Sequence, residues 1–201
     1  MRASNPDKIR RLQTAVREAY SAAAIKPQGE HPFPVGRAFA ESLGYPKDQI
    51  DALPPVAVEA FSGVSNVSVF ATIPIGSRVL DLGCGAGLDS LIAAQRAGDS
   101  GMVLGVDFSE AMLARAHLAA IEARIENVTF CRAEVEKLPI KSGSIDVALV
   151  NGIFNLNPLR SDIFAELVRV LRPGGAVYAA ELILRELLPQ EVLDSEPDWF
   201  A

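Results

Sequence analysis

One stretch of the chain, residues 78–89, constrains the fold more than any other. A short apolar run at 78–82 leads into three glycines at every second position, Gly83, Gly85 and Gly87, and the residues after them have the composition of a helix. Glycines in such a turn let the backbone approach a ligand closely, and the following helix directs its free N–H groups into the turn. The order strand, tight turn, helix therefore predicts a turn that binds a nucleotide-like ligand.

The glycine spacing and the acid before it indicate the charge of that ligand. A turn that binds a dinucleotide reads G-x-G-x-x-G and holds a pyrophosphate, whereas here the spacing is G-x-G-x-G and Asp81 stands two positions before the first glycine. A carboxylate beside a pyrophosphate would repel it by roughly several kcal/mol in a partly desolvated cleft. The same carboxylate would stabilise a positively charged ligand, for example one that carries an ammonium and a sulfonium group.

The overall charge narrows the class of partners. The 201 residues carry a formal net charge of −6, and the pI is about 5.0, so we expect neither a nucleic-acid partner nor binding to anionic membranes. The two cysteines, Cys84 and Cys131, cannot build a disulfide framework. This cysteine content favours a reducing cytoplasm. The chain also lacks an apolar leader and any uncharged apolar run of about 20 residues, so we expect a soluble protein.

Apolar runs and helical patterns alternate from residue 78 onward, and this alternation predicts the fold. Repeated βα units form a parallel, doubly wound sheet of the Rossmann-like α/β class, with a ligand crevice at the carboxyl ends of the strands. We divide the chain into an N-terminal helical cap, 1–70, and this core, 71–201. The predicted core elements are strands at 78–82, 102–107, 128–131, 145–150 and 176–184, and helices at 89–97, at 109–126 with Met112 and Ile121 facing inward, and through 163–171.

The cap is predicted to contain helices at 5–24, 37–43 and 46–53. Tyr20, at the end of the first helix, either fills the core or lies over a ligand. His31 lies in a loop that prolines stiffen. It is either a base at a site for an acceptor substrate beside the nucleoside, or a histidine at the protein surface. Asn66 lies in a turn of small residues that either contacts the ligand or only leads into a helix.

Polar residues follow each predicted strand at its carboxyl end. Asp107 ends the second strand and can accept both ribose hydroxyls of a nucleoside, or it can cap the next helix. Glu134 can accept from an adenine amino group while the Val135 N–H donates to a ring nitrogen. The carbonyl or the side chain of Asn151 can meet an amino-acid end of the ligand. We add two residues that open the helix after Asp107 to the predicted cofactor site: Phe108 and Met112.

These segments together resemble the class I S-adenosylmethionine (SAM) methyltransferases. The resemblance covers about residues 45–201 and implies SAM as cofactor and no metal. It is carried by D-L-G-C-G-A-G at 81–87, A-E-V-E-K-L-P at 133–139, V-N-G-I-F-N-L at 150–156 and L-R-P-G-G at 171–175.

Four further segments resemble the arsenite methyltransferase branch: S-L-G-Y-P at 42–46, the turn at 63–66, I-F-N-L-N-P at 153–158 and E-L-I-L-R-E-L-L-P at 181–189. In that branch cysteine thiolates hold the arsenic. The matching positions here are Val64 and Gly152, so the resemblance extends to the cofactor site and not to arsenic as acceptor.

Methyl transfer to a nucleophilic acceptor depends mainly on alignment of donor and acceptor. Glu181 and His31 are the candidate catalytic residues, although Glu181 could instead pair with Arg185. We therefore expect a SAM-dependent methyltransferase for a small-molecule acceptor. Two alternatives stay open: a SAM-binding module without turnover, and a nicotinamide-dependent oxidoreductase.

The fifth predicted strand would form an open apolar edge, because class I methyltransferases add an antiparallel hairpin beside it and only 17 residues follow Leu184 (201 minus 184). The sequence therefore predicts either a truncated chain, as Trp199 and Phe200 at its end also suggest, or a homodimer paired through this edge.

Overall fold

The computed structural model of the protein describes residues 6–183. Its strands are β1 (Arg78–Leu82), β2 (Met102–Asp107), β3 (Val128–Arg132), β4 (Ile145–Asn151) and β5 (Leu171–Ala180). They form one parallel sheet in the order β3-β2-β1-β4-β5. This arrangement confirms the predicted Rossmann-like α/β class. The strand order reverses between β1 and β4, and at such a point an open sheet leaves a crevice for a ligand.

Helices cover both faces of the sheet. They are α1 (Pro6–Ile25), α2 (Arg37–Ser42), α3 (Lys47–Asp51), α4 (Pro55–Val58), α5 (Val67–Phe70), α6 (Leu88–Ala97), α7 (Glu110–Ala123) and α8 (Arg160–Val170). The helices α1 and α4 pack against α7, which brings the N-terminal segment over the carboxyl ends of the strands. No helix within residues 6–183 is both long enough and apolar enough to cross a bilayer.

Alternate residues of β1 face opposite layers of helices. Val79 packs with Ala94 of α6 on one face, whereas Leu80 and Leu82 pack with Ile163 of α8 on the other. A parallel strand covered on both faces is apolar at nearly every position. This explains why the run before the glycines lacks the polar alternation of a half-exposed strand.

Two predictions in the core are wrong. The fifth strand was expected at 176–184, but β5 extends over Leu171–Ala180, and Glu181 follows it in a non-strand segment. Ile121 of α7 was expected to face inward and is 74% exposed. At about 100° per residue it lies on the opposite side of the helix from buried Met112, nine positions earlier.

Candidate functional site

The glycine turn after β1 has the conformation that its sequence predicts. Gly83, Gly85 and Gly87 have φ angles of +75°, +51° and +91°, a region that residues with a side chain rarely adopt. A Cβ atom on Gly87 would lie 3.1 Å from Cβ of Ala116, so this glycine lets α6 pack closely on α7. Gly83 and Gly85 instead line a cavity at the carboxyl ends of the strands.

This cavity, the cofactor cavity below, contains about 1030 Å³ of empty space, part of it open to solvent. It lies between the turn, the ends of β1, β2 and β4, and helix α1. Ten of the residues predicted for the cofactor site line it: Tyr20, Asp81, Gly83, Gly85, Asp107, Phe108, Met112, Glu134, Val135 and Asn151.

Asp81 is buried at the end of β1, only 2% exposed. Its carboxylate accepts a hydrogen bond from the Ser90 hydroxyl at 2.5 Å. Burial, and then the nearby charge of Asp89, raise the pKa of Asp81 to about 8. Because the ionised form is costly here, Asp81 is poised to ionise when a positive charge enters the cavity.

Asp107 is buried at the end of β2 and joins the glycine turn to α7. One carboxylate oxygen accepts the Gly85 N–H at 2.9 Å and the other accepts the Ser109 N–H at 2.8 Å. Burial outweighs these bonds and raises the pKa of Asp107 to about 6. Each oxygen keeps a second lone pair, so the carboxylate can still accept two ligand hydroxyls.

Asn151 lies at the end of β4, and its amide binds the protein's own backbone. Its oxygen accepts the N–H groups of Val64 and Ser65 at 2.8 and 3.2 Å. Its nitrogen donates to the Ser65 carbonyl at 2.7 Å and to Asp89 at 2.9 Å. The side chain therefore ties the 63–65 turn to the sheet, and these contacts already use its hydrogen-bonding groups.

Asp89, which the sequence analysis did not select, connects the same network. This buried carboxylate also accepts the Tyr45 hydroxyl at 2.6 Å and the Ser68 N–H at 3.2 Å. The sequence could have indicated Asp89 by its position in the first turn of the helix after the glycines. It could not have indicated the partners of Asp89, since Tyr45 and Ser68 belong to the cap and are distant in the chain.

Three acids of the cofactor cavity have no ion-pair partner among residues 6–183. Asp81, Asp89 and Asp107 are all buried. None of the ion pairs within residues 6–183 includes any of them. For Asp81 and Asp107, whose pKa values are raised by burial, a positively charged ligand would stabilise the ionised carboxylates. The residues at this end of the cavity thus fit a cationic nucleoside.

Helix α1 covers the opposite end of the cavity. Arg17 lies 5.6 Å from the centre of the Phe108 ring and pairs with Glu134 at 2.5 Å. Gln13 donates to Glu136 at 3.0 Å. Sequence reasoning missed Arg17 and Gln13, because a polar residue on an amphipathic helix carries no sign of what the fold places beneath it.

Four predicted residues do not line the cofactor cavity. Gly87 serves helix packing, as described above. The His31 ring hydrogen-bonds to the Lys26 carbonyl at 2.9 Å and stacks near Phe33. Asn66 donates to the Gly44 carbonyl at 2.9 Å. Any role of His31 or Asn66 toward a ligand stays a prediction.

Glu181 is the fourth of these residues. Its carboxylate accepts three consecutive backbone N–H groups, from Ile153, Phe154 and Asn155, at 2.7, 2.9 and 3.2 Å. This arrangement fixes the loop after β4, and it gives Glu181 an anchoring contact that the sequence did not predict. The alternative partner, Arg185, lies outside the described residues.

Val64 and Gly152, which the sequence resemblance matches to thiolate positions of the arsenite branch, are neighbours here. A Cβ atom built on Gly152 would lie 3.1 Å from Cγ1 of Val64. Both residues line a second cavity, the apolar cavity below, which contains about 780 Å³ of partly open space. The two cavities share the residues Tyr20, Ser62, Gly63, Gly152 and Leu156.

Comparison with known proteins places this geometry in context. A family described as "Methyltransferase domain" matches residues 75–199. The arsenite methyltransferase of Halobacterium salinarum is 36% identical over 159 residues, which is 79% of this chain and 40% of that protein. The demethylmenaquinone methyltransferase of Lactococcus lactis is 36% identical over 106 residues, 53% of this chain and 42% of that protein. The chain thus spans about two fifths of the length of these curated relatives.

The fold comparison agrees with the sequence comparison. The crystal structure of an arsenic(III) S-adenosylmethionine methyltransferase from Chlamydomonas reinhardtii matches with a TM-score of 0.63 and 31% identity. The match covers 84% of this chain and 57% of that chain.

Proposed function

The chain belongs to the methyltransferase-domain family, and from this premise we propose that it transfers the methyl group of SAM to a small-molecule acceptor. SAM is the cofactor of the SAM-dependent methyltransferases that resemble this chain. The observation that carries the proposal is a set of three buried carboxylates at one end of the cofactor cavity that form no ion pair with any described residue.

The residues of the cavity suit the parts of the cofactor. Asp81 would stabilise the positive charge of the methionine end, and Asp107 would accept the ribose hydroxyls while it holds the Gly85 and Ser109 N–H groups. Apolar side chains of Phe108, Met112 and Val135 line the same cavity and would enclose the adenine. Bound SAM supplies an electrophilic methyl group on a sulfonium, and the residues around it orient that group and exclude water.

The function is tested by calorimetry followed by a turnover assay. We expect SAM and S-adenosylhomocysteine to bind and NADH not to bind, because a diphosphate would face Asp81. Methyl transfer would then be measured with labelled SAM against a panel of small molecules. Binding without transfer to any panel member would favour a SAM-binding module, whereas tighter binding of NADH than of SAM would contradict the proposal.

Several finer points are also proposals. We infer a division into a cap, 1–70, and a core, 71–201, which is supported by the position of α1 to α5 before β1.

A cytoplasmic location is supported by the two free cysteines. The net charge of −6 disfavours nucleic acid as a partner. Pairing of two copies through β5 is supported by its place at one edge of the described sheet, where Val177 is 42% exposed.

A further inference from the structure

The apolar cavity differs from the cofactor cavity in the chemistry of its walls. No residue that lines it within the described part of the chain carries a charged side chain. Its walls are aromatic and aliphatic: Phe33, Phe39, Leu43, Val64, Leu156 and Leu182. A wall of this kind favours apolar ligands and disfavours an unpaired ion.

The position of this cavity ties it to methyl transfer. Its floor includes Gly63 and Gly152, and both glycines also line the cofactor cavity. The side chain of Asn151 contacts the backbone of the 63–65 turn from the cofactor side. A molecule in the apolar cavity would therefore sit directly beside the acidic end of the cofactor cavity, where the methionine end of SAM is proposed to bind.

The neutral polar groups at the junction come from Tyr20 and Ser62. The Tyr20 ring stacks on Phe33 with 4.4 Å between ring centres. Burial, opposed by a hydrogen bond with Ser62, raises the pKa of the Tyr20 hydroxyl well above its usual value, so this group stays uncharged. These hydroxyls can orient one polar atom of a ligand without placing a charge in the wall.

We propose that the apolar cavity binds the methyl acceptor and selects an uncharged, largely apolar molecule of aromatic size that carries its own nucleophilic hydroxyl or amine. This inference rests on the proposed function. In the transfer, a lone pair of the acceptor forms a bond to the methyl carbon as the carbon–sulfur bond breaks. The sulfur keeps the electron pair of that bond and becomes a neutral thioether, and the acceptor releases its proton to water.

The same walls argue against trivalent arsenic as the acceptor. A soft arsenic(III) centre needs thiolate ligands, and no cysteine is among the described residues of the apolar cavity. Cys84 lines the cofactor cavity, where burial raises the pKa of its thiol well above the usual value. The positions that match arsenic ligands carry the side chain of Val64 and the hydrogen of Gly152 instead.

The test uses the full chain and three probes: 2-naphthol, 2-naphthoate and arsenite. Their affinities are measured by calorimetry with and without saturating S-adenosylhomocysteine. We expect 2-naphthol to bind at least tenfold more tightly than 2-naphthoate, and arsenite not to bind. Equal affinity for the two naphthyl probes, absence of 2-naphthol binding, or arsenite binding would overturn the inference.

Matched variants locate the binding. Val64→Asp places a carboxylate in the apolar cavity and should weaken 2-naphthol binding at least tenfold, while S-adenosylhomocysteine affinity stays within about twofold. Val168→Asp is the control, since Val168 is 78% exposed on α8 and lines neither cavity. If Val64→Asp does not fold, Val64→Ser should still weaken 2-naphthol a few-fold. Unchanged 2-naphthol affinity in a folded Val64 variant would contradict the site.

The outcomes separate this inference from the proposed function. If S-adenosylhomocysteine binds and 2-naphthol does not, the function stands and the acceptor class is wrong. If S-adenosylhomocysteine does not bind, the proposed function itself is contradicted, whatever the naphthyl probes do.

Discussion

The cofactor cavity and the apolar cavity share a wall but have opposite chemistry. The first holds three buried carboxylates, and the second has no charged side chain among its described residues. Both are built from the same kinds of element, a strand end or a turn covered by cap helices. The difference shows that the fold places two cavities side by side, whereas the side chains at the strand ends decide which cavity is acidic.

The two cavities also differ in how their walls are held. The acidic side is a hydrogen-bonded network that runs through Asp89, Asn151 and Tyr45. The apolar side is held by ring contacts, such as that between Tyr20 and Phe33. Hydrogen bonds are directional and apolar contacts are not. We therefore expect substitutions in the acidic network to reduce stability and ligand affinity more than substitutions among the apolar contacts do.

Asn151→Ala should have the largest effect, since this side chain joins the two cavities. The change removes the acceptor of the Val64 and Ser65 N–H groups and a donor to Asp89. We expect the free energy of unfolding to fall by about 2–4 kcal/mol, and the affinities for both SAM and 2-naphthol to fall at least tenfold. Urea unfolding and calorimetry measure these changes.

The matched control for that prediction is Asn127→Ala. This amide donates to the Ala94 and Gly98 carbonyls, both at 3.0 Å, and lines neither cavity. It should lose stability without a change in either affinity. If Asn151→Ala lost affinity for SAM but kept its affinity for 2-naphthol, Asn151 would not support the walls of both cavities.

Asp81→Asn should affect only the cofactor cavity. The amide can still accept from Ser90, but it cannot balance a positive charge. We expect SAM affinity to fall roughly 10- to 100-fold, which corresponds to the free energy of one hydrogen bond to a charged group. The affinity for 2-naphthol should not change. Methylthioadenosine, which lacks both the sulfonium and the ammonium, provides the control ligand. Equal losses for SAM and methylthioadenosine would argue against a charge effect.

The two cavities should also differ in how their ligand affinities depend on pH: the affinity for SAM should change with pH and the affinity for 2-naphthol should not. The pKa values of Asp81 and Asp107 lie near 8 and 6, above the ordinary value of 3.8. Both groups therefore hold a proton more tightly in the folded state than in the unfolded state. Their contribution to the free energy of unfolding is fully present below about pH 3.8, and it is lost as the pH rises through 6 for Asp107 and 8 for Asp81. A bound cation lowers both pKa values, so SAM affinity should rise with pH up to about 8, by at most about tenfold per unit for each proton released.

Proton release measured in buffers of different ionisation enthalpy checks this linkage. The Asp81→Asn variant should flatten the part of the curve near pH 8. Binding of 2-naphthol, in contrast, should not change between pH 6 and 8. A SAM affinity that falls over this range would contradict the role of Asp81.

Arg17→Ala should have the smallest effect. The pair between Arg17 and Glu134 is exposed to solvent, with 40% and 55% of the side chains accessible. Exposed pairs contribute about 0.2–1 kcal/mol, so SAM affinity should fall by at most about fivefold. Arg37→Ala, which removes exposed ion pairs outside both cavities, is the control and should leave the affinity unchanged.

The fold and the centre of the cofactor cavity could be predicted because their signals are local. Asp81 is two positions from Gly83, and Asp107 ends a strand whose register is set by its apolar residues. In a parallel sheet all such strand ends meet at one edge. The bounds of β5 were less predictable, since its pairing with β4 shifts register between Ile145 and Val147.

Contacts between distant segments were not predictable in this way. Asn151 is predicted to meet the cofactor and lines its cavity, but the sequence did not indicate that its amide also binds the 63–65 turn, more than 80 positions away in the chain. Glu181 stays a predicted acceptor-site residue, but the sequence did not indicate that it anchors the 153–155 loop. A polar residue at a strand end can serve a ligand or the backbone, and only its spatial neighbours decide between them.

The amino-acid sequence alone determined the parallel sheet, the glycine turn and the acids that face it, because each depends on residues close together in the chain. Only the tertiary structure decided that Val64 lies against Gly152, that Arg17 covers Phe108, and that the apolar cavity adjoins the acidic one. Those contacts depend on how the cap packs on the core, and that packing is set by many weak apolar contacts whose partners no local pattern specifies.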